Sequence, residues 1–178
     1  MNQIGFTLVG GLAVSLRTIE RFTKDIDLAI AVDSDTKAEQ YVRELLQQYF
    51  RLESILEHSK HSRIATVRLV KDDVLLDLLF ASSGIENEVI ASSTTAEIFE
   101  GLHLPVASLP GLLALKVLSV DPAKRPQDAV DIRNLLQESS MNDIRETVRL
   151  LNLISERGYN REKDLLAEFE YYQNLFRR

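Results

Sequence analysis

Hydrophobic and polar positions in the first half of the chain alternate between two periods. Phe6-Thr7-Leu8-Val9 is a short β-prone run stopped by Gly10-Gly11, and Leu12, Leu16 and Ile19 then share one face of one or two helical turns. Ile26, Leu28, Ile30 and Val32 alternate with Asp25, Asp27, Ala29 and Ala31, which predicts a strand with two unlike faces. Thr36 and Glu39 have capping-box spacing, and Ala38, Tyr41, Val42, Leu45, Leu46 and Tyr49 follow as an amphipathic helix. Residues 64–70 and 74–80 are β-rich runs separated by Lys71-Asp72-Asp73, the pattern of a hairpin.

After about Ser82 the pattern turns helical. Ser108 is placed to cap a helix over 109–120 that is apolar nearly all round, hence buried. A polar break at 121–126 leads to a helix over 127–136. Ile144, Val148, Leu151 and Ile154 line another that stops near Gly158, a good residue to follow a helix end. Asn160 starts the last helix, with Leu165, Leu166, Phe169, Tyr172 and Phe176 as its stripe. The order predicts an α+β (α/β-like) chain: a small mixed sheet over 1–90 and a helical C-terminal region over 91–178 packed on it as one unit.

Composition narrows the functions. The chain has 178 residues, 45% hydrophobic and 27% charged, as in ordinary globular proteins. Zero cysteines exclude disulfide scaffolds, thiolate zinc sites and cysteine nucleophiles. No run approaches the roughly 20 apolar residues of a membrane span, and the N-terminus lacks the basic flank of a signal peptide. The expected compartment is the cytoplasm. A net charge of −6 argues against a broad nucleic-acid-wrapping surface. His58, Lys60, His61, Arg63 and Arg68 nevertheless form a local basic segment, either a solvated loop and strand edge or a contact for an RNA acceptor. The histidines lack a zinc-binding spacing.

Asp25 and Asp27 lie two apart on a strand, so both carboxylates share a face about 6.8 Å apart along it. Two such charges at about 6 Å repel by roughly 3 kcal/mol at an effective dielectric near 20. A divalent cation offsets that repulsion, and oxygen-only ligands suit Mg²⁺ or Mn²⁺. Asp77 interrupts an otherwise apolar strand, where a charge needs a partner. On a neighbouring strand it completes a three-carboxylate set able to support phosphoryl or nucleotidyl displacement. Gly10-Gly11, between strand and helix, lets backbone approach a phosphate at a helix N-terminus. Each piece has a plainer reading: a turn for Gly10-Gly11, a solvated edge for Asp25 and Asp27, a salt bridge to Arg68 for Asp77, and a snorkelling side chain for Lys116.

Val9-Gly10-Gly11-Leu12-Ala13, followed by Arg21-x-Thr23-x-Asp25-Ile26-Asp27, resembles the signature of DNA polymerase beta-like nucleotidyltransferases, and within them the AbiEii/AbiGii-type toxin branch. Lys116 after Leu112, and Arg125-Pro-Gln-Asp128-Ala-Val-Asp131, are similar to that branch's later elements. The resemblance covers residues 5 to about 136.

The resemblance implies a nucleotidyltransferase that moves a nucleoside monophosphate from an NTP to an acceptor hydroxyl and releases pyrophosphate. The acceptor would be RNA, protein or a small molecule such as an aminoglycoside. Asp25, Asp27 and Asp77 would hold the metal; Gly10, Gly11, Arg21, Thr23 and Lys116 would bind the nucleotide. Asp128 or Asp131 would be a base-like group near the acceptor. The serine of the Gly-Ser form is absent, so its contact falls to backbone amides. The implied partners are the NTP, an acceptor and a cognate antitoxin, with no membrane. The competing reading is a non-catalytic nucleotide-binding or partner-regulating module on the same fold.

Overall fold

The computed structural model describes residues 5–20 and 22–176. Its seven strands are β1 (Phe6–Val9), β2 (Asp25–Ile30), β3 (Arg51–His58), β4 (Arg63–Lys71), β5 (Val74–Leu79), β6 (Thr94–Phe99) and β7 (Leu102–Val106). They form one sheet in the order β3-β4-β5-β2-β1-β7-β6. β2 pairs with β5 and β1 with β7 in parallel, and the remaining pairs are antiparallel, so the sheet is mixed as expected.

The predicted hairpin is β4–β5. Asp72 and Asp73 both adopt positive φ (50° and 62°), as a tight hairpin turn requires. On β5 the side chains alternate. Leu76 and Leu78 pack with Val67, Leu69, Ile30 and Phe80 beneath Ala38 and Val42 of helix α2 (Asp35–Leu46), leaving Asp77 on the opposite face. That second face is covered by α1 (Gly10–Arg17), α4 (Leu109–Ser119), α5 (Pro126–Glu138), α6 (Met141–Glu156) and α7 (Leu165–Phe176). Leu112, Leu113, Val117, Ile132, Leu135, Leu151, Ile154 and Phe169 form its core. Among the described residues no helix is long and apolar enough to cross a membrane.

Several local expectations are corrected. Strands β6 and β7, with the short α3 (Glu86–Ala91) before them, occupy a stretch read as helical. Pro105 within β7 blurs its strand signal, and β6 is a largely exposed edge. Strand β3 escaped notice because two register shifts against β4 break the alternation of Leu52, Ile55 and Leu56. Helix α2 starts two residues early: Ser34, not Thr36, accepts the capping bond, from the Lys37 amide. Ser108 stands at the N-cap of α4, but its hydroxyl meets Ser92 rather than a helix amide. Helix α1 buries Ala13 and Val14, whereas Leu16 and Ile19 of the expected apolar face are 36% and 63% exposed. The last helix begins at Leu165, because Arg161 and Glu162 take left-handed conformations (φ 54° and 62°) that no helix continues through.

Candidate active site

One line of register partners crosses four strands. Arg68 on β4 faces Asp77 on β5, Asp77 faces Asp27 on β2, and Asp27 faces Val9 on β1. Cross-strand partners share a face, so the chain gathers a guanidinium, two carboxylates and the start of α1 in one row. Asp25 stands two residues from Asp27 on the same face, beside Leu75 of β5.

The row ends where the chain turns into α1. Gly10 has φ +67°, and a Cβ there would fall 1.9 Å from Asp27 Oδ2. The missing side chain thus admits the Asp27 carboxylate against the helix start. Val9, at the N-cap, supplies no side-chain acceptor for the first amides of α1.

Among the described residues neither Asp25 nor Asp27 has a side-chain hydrogen bond or ion pair. Asp27 is pushed up to about 6, first by burial and then by the charge of Asp77; Asp25 adds to the rise, while Lys116 and Arg68 oppose it. Asp77, 8% exposed, is matched by Arg68: Nε donates to Oδ1 at 2.7 Å and Nη2 to Oδ2 at 2.6 Å. This bond holds the Arg68 guanidinium still further above its usual value. The salt bridge foreseen across the hairpin is therefore present. Among the described residues no three His, Asp or Glu side chains gather as a metal-holding group. Among the described residues Asp25 and Asp27 remain as the carboxylates with free oxygens, while both oxygens of Asp77 accept from Arg68.

Lys116 reaches the row from α4. Its Nζ lies 2.8 Å from Asp128 Oδ1 and 2.7 Å from Asp131 Oδ2, both on α5. Ser119 donates to the second oxygen of Asp128 at 3.4 Å, and Gln127 to Asp131 at 3.4 Å. Asp131 is completely buried. The three-residue spacing of Asp128 and Asp131 puts both carboxylates on one helix face, one turn apart, as a clasp for one ammonium.

These groups surround a cavity of about 570 Å³, a size suited to a small-molecule ligand. Gly10, Gly11, Thr23, Asp25, Asp27, Asp77, Lys116 and Asp128 all line it. Asp131 is not in the lining and touches it through Lys116. Arg21 lies outside the described residues. Ser82, Ser83, Lys124, Gln127 and Arg161 also line the cavity and were not singled out in the sequence. Arg161 carries no local signal, since its contact with Ser82 bridges 79 positions of sequence.

A family model described as the nucleotidyl transferase AbiEii toxin of type IV toxin–antitoxin systems matches residues 3–175. The chain belongs to the AbiEii nucleotidyltransferase family. This AbiEii chain is accordingly a nucleotidyltransferase on a mixed-sheet fold. Among solved structures it is similar to the solution structure of the antibiotic-resistance factor ANT(2'')-Ia, with 18% identity and TM-score 0.54 over 97% of this chain and 89% of that one. The crystal structure of ANT(2'')-Ia in complex with adenylyl-2''-tobramycin gives 17% identity and TM-score 0.53 over 86% and 88%. An antigenic nucleotidyltransferase-like protein from Paracoccidioides brasiliensis gives 21% identity and TM-score 0.47 over 94% and 84%. The ANT(2'')-Ia likenesses are shared fold. Curated protein sequences give no match to this AbiEii chain.

Proposed function

We propose that the cavity transfers a nucleoside monophosphate from an NTP to an acceptor hydroxyl with a divalent cation bound at Asp25 and Asp27. The observation that carries this reading is the pair of carboxylates, without a side-chain partner among the described residues, one of them desolvated and set against the start of α1. Such a pair fits Mg²⁺ or Mn²⁺, since hard cations take oxygen ligands and relieve the charge that raises Asp27. When bound, the cation neutralises triphosphate charge and polarises the reacting phosphoryl group.

The chain's own groups do the rest. The amides at Gly10 and Gly11 face phosphate oxygens with the positive end of α1. Lys116 adds a point charge, and the clasp of Asp128 and Asp131 fixes where that charge stands. Thr23, hydrogen-bonded to the Asp25 carbonyl at 3.5 Å, borders the nucleotide. The acceptor oxygen attacks the α-phosphorus, its proton passes to the Asp77 carboxylate, and the bond to the β-phosphate breaks to release pyrophosphate. We assign the proton to Asp77 because it stands directly beside Asp27 in register; Asp77 and Asp128 are both ion-paired, to Arg68 and to Lys116, so the ion pair does not decide between them. Positioning and electrostatics supply most of the acceleration in such displacements. A cognate antitoxin is the protein partner consistent with the family.

A second reading, nucleotide binding without transfer, has one observation in its favour: Asp77 and Lys116 are both ion-paired here. Incubation with each α-labelled NTP, Mg²⁺ and a panel of total RNA, cell protein and aminoglycosides separates the two. Transfer puts label on one acceptor and loses it in Asp27→Ala. Metal-dependent NTP binding with no labelled acceptor selects the second reading.

A further inference from the structure

A second cavity, about 530 Å³, adjoins the first and shares Ser82 and Arg161 with it. The chain goes to some length to place Arg161 at this junction. Arg157 anchors one side by donating to Glu88 at 2.6 Å, and Lys163 the other by donating to the Leu118 and Val120 carbonyls at the end of α4. Between these anchors Tyr159 packs onto Gly84, where a Cβ would come within 2.5 Å of its ring, and stacks on His61. Arg161 then takes the left-handed backbone uncommon for a side-chain-bearing residue.

So placed, Arg161 remains under-used. Its hydrogen bonds among the described residues come from Nη2 to Ser82, at 3.3 and 3.4 Å, long for a guanidinium. It has no carboxylate at ion-pair distance among the described residues, unlike Arg63, Arg68 and Arg157. The residue is solvent-exposed, yet its guanidinium sits deep enough among neighbouring atoms for desolvation to lower its pKa; the charge of Arg125 lowers it further, and that of Glu86, which already accepts from Ser82 and Ser83, opposes the fall. Two guanidiniums that repel across a junction are an anion site in waiting. The second cavity adds Lys60 and His58; Glu57 and Glu162 also border it.

We propose that the second cavity is the acceptor subsite, and that Arg161 with Lys60 binds a phosphate group of the acceptor while its hydroxyl enters the first cavity. This rests on the transfer reading above. It narrows the acceptor to a phosphate-bearing hydroxyl compound, either a sugar phosphate or the end of an oligonucleotide, and disfavours a polycationic aminoglycoside. The triphosphate has its own cation and helix start in the first cavity, so Arg161 is left for the acceptor.

The test uses the ¹⁵N-labelled full chain saturated with Mg²⁺ and a non-hydrolysable NTP. Ribose 5-phosphate, ribose and a short RNA oligonucleotide are titrated separately. The expected result is that one or both phosphate-bearing probes shift the amides of Ser82, Arg161 and Lys60 while ribose does not. Arg161→Ala should weaken that binding at least 10-fold and Arg161→Lys should recover part of it, while NTP affinity, since Arg161 also borders the first cavity, should fall by a much smaller factor. The proposal is overturned if neither phosphate-bearing probe binds, if ribose binds as well, or if Arg161→Ala weakens the NTP instead. Failure of the transfer reading is separately visible, as phosphate binding dependent on Arg161 with no labelled acceptor.

Discussion

Burial and the neighbouring Asp77 raise the Asp27 carboxyl to about 6 from an ordinary 3.8, so the folded chain holds that proton more tightly than the unfolded one. The associated stability is present below about pH 4 and is lost as pH rises through about 6. A shift of this size corresponds to about 3 kcal/mol at most. Asp27→Asn should therefore stabilise the ligand-free protein at pH 8 and bring no gain at pH 4, by urea denaturation at both. Mg²⁺ should raise the Tm of the wild type at pH 8 and leave that of Asp27→Asn almost unmoved. At Gly10 the constraint is steric. Gly10→Ala forces a Cβ into the Asp27 carboxylate at positive φ, so transfer should be lost and stability should fall by at least about 1 kcal/mol. In an Asp27→Ala background the same substitution should cost less, because the nearest clashing atoms are gone.

At the scale of elements, two ion-paired groups join neighbouring elements. Arg68 and Asp77 tie β4 to β5, and Arg68→Ala leaves a nearly buried carboxylate with no partner. The bridge is partly solvated on the arginine side, so we expect a loss of about 2 kcal/mol, below the roughly 3–5 of a fully buried pair. Arg68→Ala/Asp77→Asn should recover part of it in equilibrium unfolding. Lys116 ties α4 to α5, and Lys116→Ala strands two buried carboxylates. A loss of about 3–5 kcal/mol is expected at pH 7. Urea denaturation checks it, and a loss below about 1 kcal/mol would contradict the clasp.

The elements legible in the sequence are those with one uninterrupted periodicity: β1, β2, the β4–β5 hairpin, α2, the buried α4, α5 and α6. Asp25, Asp27 and Asp77 announced themselves as charges in apolar strands, and Arg68 as their neighbour across a short turn. What stayed hidden depends on other parts of the chain. β3 and β6 are edge strands whose exposed side chains need no alternation, and two bulges scramble the former. The face buried by α1 was chosen by α4 and α5 packing close to its small residues, not by its own leucines. Arg161 was invisible for the same reason, being brought to the cavity by the path of the chain after α6.

For the whole molecule, the parallel pairings decide how the parts depend on one another. Asp27 meets Asp77 and Leu8 meets Val106 across parallel strands, and Lys116 of α4 meets Asp131 of α5, so each half of the site waits for residues later in the chain. Long-range pairing makes such a sheet slow to form and keeps its parts from folding singly. A chain emerging from a ribosome has its glycine turn and first carboxylates early, but the lysine clasp is incomplete until residue 131 is free, and Arg161 arrives later still. On the proposed transfer reading, chains ending before residue 161 should transfer no label, which truncated variants check with the labelled NTPs. On that reading synthesis itself delays activity, and the antitoxin proposed above has that interval in which to arrive first.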